Sequence, residues 1–142
     1  MGEITQGIAW KDEYKLGYEQ VDVQHYQLFV LLSQLVEACT EGGNNAKLGD
    51  TLDFLLNYTI HHFIDEEALQ IRYNYPDYER HKQLHDDFKQ TAREMAQHYE
   101  EYGYSTEFCI DVNKVLVKWL INHILREDKK IGDHIRNVTE SA

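Results

Sequence analysis

Chain breakers are scarce. There is one proline, Pro76, and only eight glycines, two of them adjacent at Gly42 and Gly43. So few breakers favour long helices over many short strands. Cys39 and Cys109 are the only cysteines. Two thiols so far apart make no disulfide framework. They read as small core fillers, and a reducing cytoplasm is the expected location. No apolar run approaches the roughly 20 residues of a membrane span, so no membrane partner is expected. The opening MGEITQGIAW lacks the basic start and apolar stretch of a signal peptide. Positive charge is short too: 14 Lys and Arg stand against 25 Asp and Glu, a formal net charge of -11. Such a surface repels phosphate backbones, so nucleic acid is not an expected partner.

What remains is an ordinary soluble composition, 42% apolar and 27% charged over 142 residues, enough for one domain spanning 1–142. Residues 1–21 read as an arm in which Ile4, Ile8, Trp10 and Leu16 could pack on a neighbouring core. Asp22 is the candidate N-cap of a helix to about residue 41, with Leu28, Phe29, Leu32, Leu35, Val36 and Cys39 on one face. A second helix, about 47–72, carries Leu48, Leu52, Leu55, Leu56, Thr59, His62, Phe63, Glu66 and Leu69. Pro76 opens a third, about 77–102, whose stripe is His81, His85, Phe88, Ala92 and Met95. Ser105 caps a fourth, about 105–128, with Phe108, Val112, Val115, Leu116, Trp119, Leu120 and His123 inward, and a short tail helix follows at about 129–138. Amphipathic helices with short connections predict an all-α, up-down-up-down antiparallel four-helix bundle.

Polar residues interrupt these apolar stripes in a pattern. His62 and Glu66 stand four apart, as do His81 and His85; His25 precedes Leu28 by three, and His123 follows Trp119 by four. Asp128 lies five beyond His123. Each feature alone has a bland reading, a satisfied core histidine or a surface ion pair. Together they point imidazoles inward from every helix, with carboxylates that are costly to bury unpaired. A metal removes that cost, because it binds neutral imidazole and neutralises carboxylate. Five histidines and two carboxylates suit two ions. If both carboxylates bridge, together with an oxo or hydroxo group, one ion is saturated and the other keeps an open position. Nitrogen and oxygen ligands without thiolate suit iron, manganese or zinc, and an open position facing apolar residues favours redox-active iron. His61, His98 and His134 fit no ligand spacing and are expected in solvent.

The geometry carries one difficulty. Five residues on an ideal α-helix turn through about 500°, so His123 and Asp128 would point apart by about 140°. A π-type loosening at residues 124–128 is therefore expected. Two rival chemistries lack their signatures. No Glu-x-x-His pair of a ferritin-like di-iron oxidase occurs, and no His-Glu-x-x-His of a zinc hydrolase.

The chain resembles the hemerythrin family, in particular its bacterial branch. The resemblance rests on Trp10, Gly17, Val21, Asp22, Gln24 and His25 at the entry. It continues through His62-Phe63-Ile64-Asp65-Glu66-Glu67, Tyr75-Pro76-Asp77, His81-Lys82-Gln83-Leu84-His85, and His123 followed at five residues by Asp128. A member of that family is a known up-down four-helix bundle, so the resemblance implies the same architecture that the helical pattern predicts. The resemblance also implies two irons with a bridging oxo or hydroxo group. His81, His85 and His123 would hold one iron, His25 and His62 the other, and Glu66 and Asp128 would bridge. It further implies an oxygen pocket of Leu28, Phe63, Trp119 and Leu120, and reversible dioxygen binding for carriage, storage or sensing rather than an enzyme. The alternatives on the same site are a di-iron oxidase or peroxidase, nitric oxide chemistry, or an iron store. Monomer and oligomer are both compatible with the pattern. Val21 and Gln70 depart from the isoleucine and methionine frequent at those positions in the family.

Overall fold

The computed structural model describes residues 9–40 and 45–140. After a single 3-10 turn, Asp12–Tyr14, come α1 (Glu19–Thr40), α2 (Asn45–Arg72), α3 (Tyr78–Tyr102) and a long composite α4 over residues 106–140. Successive helices pack side by side, and α4 closes against both α1 and α3, giving the four-helix bundle. The core runs along its axis. Leu28, Leu32 and Leu35 of α1, Leu48, Leu52 and Leu55 of α2, Phe88 of α3, and Leu116 and Leu120 of α4 are all buried in it. Each such leucine contributes roughly 1.5–3 kcal/mol by leaving water.

The connections follow local chemistry. Asn74 adopts φ 53°, the left-handed turn conformation that Asn tolerates, and Pro76 follows two residues before α3 begins. Ser105 caps α4, its Oγ accepting from the Phe108 N–H at 3.0 Å. Among the described residues, no helix is long and apolar enough to cross a membrane.

The arm docks on the far end of α4. Leu16 is buried in a second, smaller core with Val21, Leu69, Tyr75, Ile131 and Ile135. Its carbonyl accepts from Arg136 Nη1 at 2.5 Å. Gly132 leaves room for it: a Cβ there would lie 3.0 Å from the Leu16 Cβ and 3.1 Å from its carbonyl oxygen. Trp10 meets Tyr14, Tyr26 and Phe29 edge-on. Ile4 and Ile8 lie outside the described residues.

Four expectations are corrected. First, α1 starts at Glu19, so Asp22 is not its N-cap. Asp22 sits in the first turn and reaches back to the N–H groups of Leu16 and Gly17, at 2.6 and 3.1 Å. Second, Cys39 and Cys109 form a disulfide. They are 70 residues apart in sequence, but the antiparallel bundle sets the end of α1 beside the start of α4. Third, Val115 is exposed while Val117 is buried. The cause is a π segment at Val112–Val117, whose wider turn rotates the inner face past Val115. Fourth, His134 is half-buried, its Nε2–H donating to the Tyr73 carbonyl at 2.7 Å and its ring edge-on to Tyr75. His61 and His98 are exposed.

Candidate metal centre

The polar residues of the four stripes meet at one depth of the bundle. His25, His62, Glu66, His81, His85, His123 and Asp128 are all buried. Their ligand atoms form two overlapping groups. One holds Glu66, His81, His85, His123 and Asp128; the other holds His25, His62, Glu66 and Asp128; within each, all atoms lie within 4.8 Å of one another. Glu66 and Asp128 belong to both.

The loosened turn that brings Asp128 into the cluster is present. His123–Asp128 is a π segment, and its i to i+5 bonding stacks residue 128 back over residue 123. The His123 Nε2 to Asp128 Oδ1 distance is then 3.1 Å. The two carboxylates each face several rings. His25 Nε2 lies 2.9 Å from Asp128 Oδ2 and 3.5 Å from Glu66 Oε2. His62 Nε2 lies 3.1 Å from Glu66 Oε2, and His81 Nε2 lies 3.0 Å from both Glu66 Oε1 and Asp128 Oδ1.

Apart from the His81 Nε2–Glu66 Oε1 hydrogen bond, these contacts are short without being good hydrogen bonds. His25 Nε2, His62 Nε2, Glu66 Oε2 and both Asp128 oxygens make no aligned hydrogen bond, although they are fully buried. His85 Nε2 and His123 Nε2 face each other at 3.1 Å, an arrangement that neutral rings meet with lone pairs on at least one side. Metal–nitrogen and metal–oxygen bonds of about 2.0–2.2 Å place adjacent ligands about 3 Å apart, which is the spacing seen here. The donor atoms converge on common centres rather than on one another, and the residues present fit a pair of metal ions.

Without metal, the cluster behaves as a tight set of ion pairs. Burial works against protonation of His25 and His81, but their contacts with Asp128 and Glu66 outweigh it and raise both to about 9. His85 is raised for the same reason, through Glu66 and Glu67. Burial pushes Glu66 up, yet the facing His62, His25 and His81 hold it well below the usual carboxylate range. Asp128 is likewise lowered: burial and the Glu66 charge oppose ionisation, and His123 and His25 prevail.

Three further residues, to which the sequence assigns no role, stand behind the rings. The His62 Nδ1–H donates to Gln24 Oε1 at 2.7 Å, and Gln24 Nε2 donates to Asp65 Oδ2 at 2.7 Å. The His85 Nδ1–H donates to Glu67 Oε2 at 2.8 Å. Both bonds turn Nε2 toward the cluster. A buried histidine needs an acceptor for its second nitrogen, which is the signal in the sequence, but picking that acceptor requires the register between helices.

Two of the four residues of the expected pocket stack on ligand rings. Phe63 stacks flat on the His85 ring, centroids 3.7 Å apart, and Trp119 stacks on His123 at 4.6 Å. Leu28 and Leu120 are fully buried, one helical turn from His25 and His123, while Trp119 is half-buried.

Residues 16–135 match the model of the hemerythrin HHE cation binding domain. The chain belongs to the hemerythrin family. Its relatives include a bacteriohemerythrin of Stenotrophomonas maltophilia, 27% identical over 91% of this chain and 82% of the relative. A myohemerythrin of Theromyzon tessulatum is 29% identical over 90% and 93%. A hemerythrin subunit beta of Lingula anatina is 32% identical over 90% and 95%. A solved hemerythrin variant shares the fold, with TM-score 0.77 at 23% identity over 88% of this chain and 94% of the other.

Proposed function

We propose that this chain binds dioxygen reversibly at a pair of iron ions bridged by an oxo or hydroxo group. His81, His85 and His123 would hold one ion and His25 and His62 the other, with Glu66 and Asp128 available to both. The observation that carries the reading is that two groups of donor atoms share the same two buried carboxylates. When bound, the iron pair supplies two electrons and an open position.

The chain's own residues do the rest. Gln24 and Glu67 fix the ring orientations of His62 and His85. Phe63 and Trp119 cover the cluster with aromatic faces, and Leu28 and Leu120 keep the adjoining space apolar. Dioxygen is neutral and enters such a space at little cost, whereas water and anions do not. None of these four side chains carries a titratable group, so the pocket wall itself offers no proton for the release of peroxide. That favours a binding protein over an enzyme, and a dioxygen carrier, store or sensor over an oxidase.

Cytoplasmic residence remains part of the reading, and the Cys39–Cys109 disulfide argues against it, since a reducing cytosol keeps such pairs open. Trapping thiols at the moment of cell lysis decides between the two.

The functional test is the visible spectrum of the anaerobically reduced protein before air, in air, and after air is removed. A charge-transfer band that comes and goes with oxygen supports reversible binding. A band that stays after oxygen is removed indicates an oxidase or an iron store. No band in any state, with metal bound, overturns the iron assignment.

A further inference from the structure

The ring nitrogens that face away from the cluster differ in what stands behind them. His85 donates directly to a carboxylate, Glu67, whose side chain is 14% exposed and so largely shielded from competing water. His62 donates to the neutral amide of Gln24, and the first charge on that side of the ring, Asp65, is one hydrogen bond further out. His25 Nδ1 has no hydrogen-bond partner among the described residues. A carboxylate accepting the distal N–H makes an imidazole a stronger donor to metal, and charge-assisted hydrogen bonds are about twice as strong as neutral ones.

We propose that this difference widens the inequality that three histidines against two already set between the metal positions. Glu67, acting through His85, makes the His81–His85–His123 position tighter still. The position of His25 and His62, backed by an amide and by nothing, fills last and empties first. Glu67 and Gln24 are positioning residues here, and the inference rests on the two-metal reading above. It assigns a second function to the Gln24–Asp65 pair. The pair keeps charge one step away from the ring, so the residues that place His62 leave its donor strength unaugmented.

The test is an anaerobic titration of the metal-free protein with Co²⁺, an ion that accepts the same nitrogen and oxygen ligands. Ligand-field absorption reports loading, and competition with a chelator yields the two stepwise dissociation constants. Glu67→Gln keeps an acceptor oxygen and removes only the charge. It is expected to weaken the tighter constant by about 10- to 100-fold and leave the weaker one in place. The paired change Gln24→Glu with Asp65→Asn moves the charge inward without altering its total. It is expected to tighten the weaker constant by about tenfold or more. A merely structural role for Glu67 would lower the metal-free unfolding midpoint and shift both constants together. That pattern overturns the proposal, as does an effect of Glu67→Gln confined to the weaker constant, or no effect. A wild-type protein that takes up fewer than two Co²⁺ ions removes the two-metal reading itself.

Discussion

Strip the metal from this protein and its stability acquires an unusual dependence on pH. His25 and His81 are buried against Asp128 and Glu66, and both are raised to about 9 from an ordinary 6.5. A group that binds its proton more tightly when folded stabilises the fold wherever it is protonated. That contribution is complete below pH 6.5, shrinks as the unfolded chain loses its protons, and is gone above about 9. The shift corresponds to on the order of 3 kcal/mol for each histidine. The two together give less than twice that, because both lean on the same carboxylates. The carboxylates add the opposite limb. Glu66 and Asp128 are lowered in the fold, so their stabilisation is present above the ordinary carboxylate range and lost as the pH falls through it. The metal-free protein is therefore expected to be most stable between about pH 5 and 6.5, a window framed by those two limbs. Urea unfolding of chelator-treated protein, followed by far-ultraviolet circular dichroism from pH 4 to 10 in about half-unit steps, measures the curve. A midpoint that is flat or rising between pH 6.5 and 9 refutes the ion-pair picture. Metal-loaded protein is the control: metal binds neutral imidazole, so the alkaline loss should vanish.

Reduction of the Cys39–Cys109 bridge, or Cys109→Ser, opens a loop of 70 residues and should cost about 4 kcal/mol in the chain-entropy account; equal denaturation midpoints with and without reductant would contradict it. Gln70 is fully buried with neither amide atom hydrogen-bonded, so Gln70→Met should raise the stability of the metal-free protein by about 1–3 kcal/mol, and a lowered melting temperature would show that the amide has a role in the fold. Leu120→Glu sets a carboxylate beside the aromatic cover of the cluster and should admit water; the oxygenated form is expected to decay faster, and an unchanged lifetime would refute the barrier role.

The bundle is legible in the sequence because its helices carry their burial pattern openly. Leu48, Leu52, Leu55, Thr59, His62, Glu66 and Leu69 recur at three- and four-residue steps, and all are buried. The convergence of His25, His62, Glu66, His81, His85, His123 and Asp128 is legible for a related reason: each is a polar residue on an apolar stripe. The five-residue step from His123 to Asp128 even discloses the π segment, because an α-helix could not satisfy it. What stays hidden depends on contacts between helices. Gln24 and Glu67 neighbour ligands in sequence, but nothing in one helix says that they face the back of a ring on another. The disulfide joins helix ends that only the finished bundle brings together. The π segment at Val112–Val117 carries no ligand pair to betray it, so a regular helical period assigns Val115 to the wrong side.

The two π segments also limit how this site can be moved. A histidine followed at five residues by an aspartate is a spacing for a widened turn, so copying it onto a straight designed helix would aim the carboxylate away from its partners. Within the native chain the same logic separates two kinds of genetic change. A substitution in Val112–Val117 leaves everything downstream in phase. Removing one residue there would restore regular winding, because a π segment is an α-helix carrying one extra residue, and Trp119, Leu120, His123 and Asp128 would keep their phase against the other helices. A three-base deletion is therefore the graver lesion in the regular stretch Lys118–Asn122, where it would turn His123 and Asp128 by about 100° against the residues before them, although it touches no residue of the cluster.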